Sequence, residues 1–136
     1  MSDATRMLLS VPAHHGIDTA VLGECVEAAM ACAQACTACA DACLDEYNLQ
    51  RDCVVACQTC ADVCETTARL LSRSARWDRP TVVALVDAAA RACSVCAGLC
   101  EQHADTTKHC GLCAAACRRA EKACQQLLTA FAALVA

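Results

Sequence analysis

The chain contains very few aromatic residues, glycines and prolines. Its 136 residues include one Trp, one Tyr, one Phe, four Gly and two Pro. Sandwiches and barrels need many turn residues and are rich in aromatic and β-branched side chains, so this scarcity argues against an all-β fold. Most of the apolar residues are instead Ala, Leu, Val and Cys, and Ala and Leu are among the strongest helix formers. The composition therefore predicts an all-α protein.

Positive charge and long apolar segments are also scarce. The chain has 11 basic and 15 acidic residues, for a net charge of −4. Without a basic surface, neither nucleic acid nor an anionic membrane is an expected partner. No uncharged stretch reaches the length of a membrane span, and the N-terminus lacks the apolar run of a signal peptide. We therefore predict a cytoplasmic protein with a single domain over residues 1–136.

Four segments of helical composition follow one another along the chain. They cover approximately residues 18–44, 51–73, 78–103 and 107 to the C-terminus. The N-terminal segment, residues 1–16, adds a short leading helix, and His14 and His15 are expected to be exposed linker residues after it. Because short connections make successive helices antiparallel, residues 17–136 are predicted to form an antiparallel four-helix bundle.

Cysteine spacing is the most informative feature of the sequence. Within the four segments the 16 cysteines recur mainly at steps of three, four and seven residues: Cys25, Cys32, Cys36, Cys39, Cys43, Cys53, Cys57, Cys60, Cys64, Cys93, Cys96, Cys100, Cys110, Cys113, Cys117 and Cys124. Such steps return to the same face of a helix. Each helix should therefore carry one stripe of thiols, and the four stripes should together form a Cys-lined core.

Aliphatic side chains continue these stripes beyond the cysteines. They are Ile17, Val21, Leu71, Val82, Val86, Ala89, Leu128, Phe131 and Val135. In an antiparallel bundle all of these extensions meet at one end. We therefore expect a well with an aliphatic floor at one end and thiols through the middle and the other end.

A core of reduced thiols favours soft metals. Neighbouring thiols on one helix face have Cβ atoms about 5–6 Å apart, which disfavours disulfides within a helix. Soft thiolates select Cu(I), Zn(II) or iron–sulfur clusters. Zinc prefers closed tetrahedral sites. Continuous thiol stripes are better suited to bridged Cu(I) ions of low coordination number, on the order of one per thiol. A zinc or general soft-metal buffer is the alternative.

Two histidines flank the predicted open end of the well. His103 follows Cys100 by three residues, and His109 precedes Cys113 by four. They are either ligands at the point where metal enters or solvated turn residues. Glu46 and Tyr47 border the same end. Cys110, beside His109, is the only thiol placed as a reactive cysteine would be, so a thiol redox protein is a further alternative. No catalytic residue is assigned, and we expect no enzyme activity.

The repeated pattern resembles that of the bacterial copper storage proteins. Cys-x3-Cys-x2-Cys-x3-Cys runs extend from Cys32 to Cys43 and from Cys53 to Cys64 on Ala-rich segments. The apparent lack of an export signal resembles the cytosolic branch of that family. The resemblance implies a homotetrameric Cu(I) store whose core thiolates match all 16 cysteines. It also implies that metal enters at one end, past histidines that His103 and His109 resemble.

Overall fold

The computed structural model describes residues 1–134, and all the regular secondary structure in this range is helical. The helices are α1 (Asp3–Leu9), α2 (Thr19–Leu44), α3 (Arg51–Ser72), α4 (Arg79–Glu101) and α5 (Lys108–Leu134), and a 3₁₀ turn at Ser74–Arg76 lies between α3 and α4. The predicted all-α class and the predicted helices are confirmed.

Side chains at the helix starts explain several of these limits. The Ser2 hydroxyl accepts a hydrogen bond from the Thr5 amide at the start of α1, and the Asp18 carboxylate accepts one from the Ala20 amide at the start of α2. Both residues satisfy amides that have no partner within the helix. Pro80 lies in the first turn of α4, where its missing N–H costs nothing.

The four long helices pack as a ring. α2 packs on α3, α3 on α4, α4 on α5 and α5 on α2. Their connections are short, so neighbouring helices run antiparallel, in an up-down-up-down bundle. α1 lies outside this ring against α2. Among the described helices, only α4 is long and apolar enough to span a membrane. Core helices of soluble proteins share these two properties.

Cysteine is the most frequent residue type in the interior. All 16 cysteines are buried, none more than 2% exposed. Every one of them is a free thiol. The predicted Cys-lined core is therefore confirmed. Met30 lies on the outer face of α2 and is exposed.

The end of the bundle opposite the α2–α3 and α4–α5 connections, hereafter the floor, is aliphatic and aromatic. Its buried side chains are Ile17, Leu22, Leu71, Val82, Val86, Leu127 and Phe131. Trp77 lies beside Phe131 and donates a hydrogen bond to the Leu70 carbonyl. The end that carries the two connections is hereafter the mouth.

Three expectations about the floor need correction or lie outside the described chain. Leu127, rather than Leu128, is fully buried, because a seven-residue step falls about 20° short of two full turns and moves the stripe toward position 127. His15 is not a free linker residue. Its ring stacks on Trp77 and accepts a hydrogen bond from the Ile17 amide. Val135 lies outside the described residues.

Candidate metal centre

The core thiols form a continuous column along the bundle axis. Near the floor, Cys32 Sγ lies 3.7 Å from Cys60 Sγ, 3.6 Å from Cys117 Sγ and 3.9 Å from Cys93 Sγ. Cys64 Sγ lies 3.4 Å from Cys93 Sγ. These sulfurs come from all four long helices, so the site exists only once the bundle is closed.

The middle of the column is equally dense. Cys36 Sγ lies 3.5 Å from Cys117 Sγ, 3.7 Å from Cys113 Sγ and 3.8 Å from Cys96 Sγ. Cys57 Sγ lies 3.5 Å from Cys96 Sγ. Every thiol here touches sulfur on other helices, which is why stripes at steps of three and four residues produce a common core.

Four overlapping groups of four thiols could each hold a metal ion, with donor atoms within 4.8 Å of one another: Cys32–Cys60–Cys64–Cys93, Cys32–Cys36–Cys60–Cys117, Cys36–Cys96–Cys113–Cys117 and Cys39–Cys57–Cys100–Cys113. Neighbouring groups share sulfurs. Ions in adjacent groups must therefore be bridged by common thiolates. Isolated tetrahedral sites differ, because each ion there has four ligands of its own.

Cys43 and Cys110 belong to a fifth group, and three further cysteines, Cys25, Cys53 and Cys124, lie outside all the groups. Cys25 Sγ and Cys124 Sγ lie 3.8 Å apart at the floor end of the column. Cys53 Sγ lies 3.6 Å from Cys100 Sγ toward the mouth. Each has a sulfur neighbour that makes two-coordinate binding of a soft ion possible.

A fifth group, hereafter the mouth group, contains a nitrogen donor. It consists of Cys39, Cys43, His109 and Cys110. His109 Nδ1 lies 3.4 Å from Cys39 Sγ and 3.7 Å from Cys110 Sγ. On the other side of the ring, Nε2 lies 2.5 Å from Glu46 Oε1. The carboxylate therefore turns the Nδ1 lone pair toward the thiols.

The two histidines identified from the sequence have different positions. His109 is a member of the mouth group, whereas His103 belongs to none of the five groups. The backbone of His103 makes the turn after α4, where its carbonyl accepts from the Thr107 amide. The hydrogen bond between Glu46 and His109 could not be predicted from spacing, because Glu46 lies in the α2–α3 connection and His109 lies 63 residues away in the first turn of α5. Tyr47 is fully exposed.

Burial keeps the thiols near the mouth protonated in the absence of metal. It raises the pKa of Cys43 and that of Cys53 to about 12, and it also raises the pKa of Cys110. A reactive cysteine needs the opposite shift and an exposed sulfur. The one thiol that the sequence offered as a reactive residue, Cys110, has neither.

Comparison with known proteins agrees with this geometry. The model of the copper storage protein family matches residues 18–129, which cover α2, α3, α4, most of α5 and every cysteine. The chain belongs to the copper storage protein family. No curated protein sequence matches it significantly.

Solved structures of copper storage proteins from Streptomyces lividans share the fold. Ccsp loaded with 10 copper equivalents is 42% identical with a TM-score of 0.90, covering 93% of this chain and 98% of that one. A histidine-to-alanine variant of Ccsp is 43% identical with a TM-score of 0.83, covering 85% and 98%. A cytosolic copper storage protein with five coppers is 44% identical with a TM-score of 0.78, covering 80% and 92%.

Proposed function

We propose that this protein stores copper as Cu(I) on its core thiolates in the cytoplasm, and that it is a reservoir rather than an enzyme. The observation that carries the proposal is the sharing of sulfurs between adjacent four-thiol groups, for example Cys32, Cys36 and Cys117. Shared thiolates suit a soft ion that accepts two or three sulfur ligands and bridges readily. The loaded Streptomyces relatives support the choice of copper.

Binding requires that the thiols lose their protons. Each thiolate that captures Cu(I) releases a proton, so uptake should weaken as the pH falls. The same coupling should stabilise the fold, because the groups that join sulfurs from several helices exist only in the closed bundle, and copper should therefore bind it more tightly than the separated helices. Copper donors and acceptors must therefore meet the protein in its folded form.

The decisive experiment is an anaerobic titration of the reduced protein with Cu(I) against a strong competing chelator. We expect uptake on the order of one copper per thiol, because nearly every sulfur has sulfur neighbours on other helices. Uptake of only a few coppers would overturn the proposal. So would displacement of most of the bound copper by equimolar Zn(II), which would favour a general soft-metal buffer.

Metal should enter at the mouth, where His109 and, less directly, His103 act as the first ligands. We expect His109→Ala to slow the first phase of copper loading while leaving the final capacity almost unchanged. His103→Ala should have a smaller effect, because His103 is outside the mouth group. Stopped-flow measurement of Cu(I) transfer from a chelator tests this, and unchanged kinetics in both variants would count against it.

We also propose a homotetramer. The groove between α3 and α4 exposes apolar side chains, including Val55 and Val95, next to Ala56, Ala92 and Leu99. Exposed apolar side chains grouped in this way are typical of contact surfaces between subunits. Light scattering coupled to size exclusion should give four times the mass of the chain, and Val95→Glu should reduce that mass. A monomer at micromolar concentration would contradict the proposal.

A further inference from the structure

The mouth group differs chemically from the rest of the column. It is the only one of the five described groups with an imidazole, and it combines His109 with Cys39, Cys43 and Cys110. Three thiolates and one histidine are a common ligand set of structural Zn(II) sites, and nitrogen is a harder donor than sulfur. The all-sulfur groups deeper in the bundle lack this feature.

The four donor atoms lie within 4.8 Å of one another, and two of their separations match those around a tetrahedral ion. Bonds of about 2.0–2.3 Å from zinc to nitrogen and sulfur place the donors of a tetrahedron roughly 3.5–3.8 Å apart. His109 Nδ1 already lies 3.4 Å from Cys39 Sγ and 3.7 Å from Cys110 Sγ. The ligands come from the last turns of α2 and the first turn of α5, beside the α2–α3 and α4–α5 connections. Ligands near connections can close around an ion with little change in the helices.

Glu46 hydrogen-bonds the ring nitrogen of His109 that does not face the thiols. Its Oε1 lies 2.5 Å from His109 Nε2, so the Nε2–H is held by the carboxylate and Nδ1 is left as the metal-binding atom. A carboxylate that accepts a hydrogen bond from a metal-binding histidine fixes its tautomer and ring orientation and increases its basicity. Glu46 and His109 are both 32% exposed, so water reaches this end of the column.

The net charge of a bound zinc site and the small number of shared sulfurs also favour zinc at the mouth group. Zn(II) with three thiolates and a neutral imidazole has one net negative charge, whereas Zn(II) with four thiolates has two. The amide dipoles at the start of α5 offset negative charge at Cys110. Only Cys39 is shared with a neighbouring group, whereas two or more members of every deeper group are shared. One isolated divalent ion therefore fits best at the mouth.

We propose that the mouth group binds one Zn(II) per chain in the copper-free protein, with Glu46 as the positioning residue for His109. On binding, Zn(II) displaces three thiol protons to solvent and takes three sulfur ligands and His109 Nδ1. The ion joins the end of α2 to the start of α5. If the protein stores Cu(I) as proposed above, the softer ion displaces the zinc from these sulfurs when copper is loaded; zinc binding itself does not depend on that function.

The test uses the full-length, reduced, copper-free protein titrated with Zn(II) alone in competition with a chromophoric chelator, and with Co(II) as a spectroscopic probe. We expect one tight site per chain, with Co(II) bands typical of tetrahedral thiolate and imidazole ligands. Glu46→Gln should weaken zinc binding by about 10–100-fold. His109→Ala should weaken it further and shift the Co(II) bands.

Matched controls are Asp45→Asn, which neutralises the exposed carboxylate next to Glu46, and His14→Ala, which removes an exposed histidine at the floor. Both should leave zinc affinity unchanged, and circular dichroism confirms that every variant is folded. No zinc above background, several equivalent zinc sites, or one site unaffected by His109→Ala would each overturn the inference. Because no copper is present, such a failure leaves the copper titration as a separate test.

Discussion

At the scale of single residues, the thiols differ in how many metal positions they serve. Cys36 belongs to two four-thiol groups and lies within 3.8 Å of Cys96 Sγ, Cys113 Sγ and Cys117 Sγ. Cys25 contacts one sulfur, that of Cys124, at 3.8 Å. A bridging thiolate binds more than one ion. The same substitution at the two positions should therefore have different effects on the copper capacity.

We expect Cys36→Ser to lower the copper capacity by two or more ions per chain and Cys25→Ser to lower it by one at most. Serine preserves the side-chain volume closely, so the comparison isolates the sulfur. The measurement is Cu(I) titration of both variants against the same chelator. Equal losses would mean that the sulfurs do not bridge as their positions indicate.

The pKa shifts at the mouth predict how stability depends on pH. The folded-state pKa of Cys43 and that of Cys53 are raised to about 12 from an ordinary value of 9.0. A group whose pKa is raised in the folded state adds stability below its unfolded pKa, and this stability is lost as the pH rises toward the folded pKa. The copper-free protein should thus become less stable between about pH 9 and pH 12.

Thermal unfolding at a series of alkaline pH values checks this. The midpoint for the copper-free protein should fall above about pH 9, while the copper-loaded protein should change less, because its thiols have already lost their protons. The loaded form is the control, since its other titrating groups are the same. Parallel curves for the two forms would contradict the assignment to thiols.

At the scale of helices, substitutions at two glycines can distinguish the effect of helix propensity from the effect of packing. Gly23 in α2 lies against α1, where an added Cβ would overlap the Thr5 hydroxyl and lie 3.2 Å from Thr5 Cα. Gly98 in α4 has nothing within 4 Å of such a Cβ. The contact at Gly23 explains how the short α1 is held against the bundle.

We expect Gly98→Ala to raise the free energy of unfolding by about 0.5–1 kcal/mol, since alanine loses less backbone entropy in a helix. Gly23→Ala has the same gain in helix propensity. Overpacking against Thr5 should nevertheless lower its free energy of unfolding by about 1–3 kcal/mol and displace α1. Denaturant unfolding of the two variants gives the difference, and limited proteolysis reports the release of residues 1–16. Equal stability of the two variants would show that α1 does not depend on this contact.

The helices themselves were predictable because their signals are local. The spacing of cysteines at three and four residues, the scarcity of Gly and Pro within the segments, and Asp18 and Pro80 near the helix starts are all read within one turn. The error at Leu128 arose where two adjacent leucines both lie near the stripe, and only the drift of the helix decides between them. Similarly, His15 was misjudged because its partner, Trp77, is distant in sequence.

At the scale of the whole molecule, the floor gives the bundle a conventional core that does not depend on metal. Leu22, Leu71 and Leu127 are fully buried, and Phe131 is 3% exposed beside Trp77. We therefore expect the copper-free, reduced protein to show a helical circular dichroism spectrum. A coil spectrum without copper would contradict this, and it would mean that metal binding drives folding.

Phe131→Ala tests the same core. Removing the ring should lower the stability of the copper-free protein by about 3–5 kcal/mol. Copper loading should recover much of the loss, since an ion that binds only the folded state stabilises it by mass action. Thermal unfolding with and without Cu(I) measures both effects. Failure of copper to raise the midpoint of the variant would indicate that the thiol column does not assemble without the intact floor.

The sequence by itself determined the helices, the single stripe of thiols on each and the choice of a soft metal, because periodicity within a helix and the softness of sulfur are local properties. Only the tertiary structure decided which thiols share an ion, that His109 rather than His103 joins the mouth group, and that Glu46 holds its ring. These relations depend on distances between helices, and the stagger and rotation of packed helices are set by the whole bundle at once.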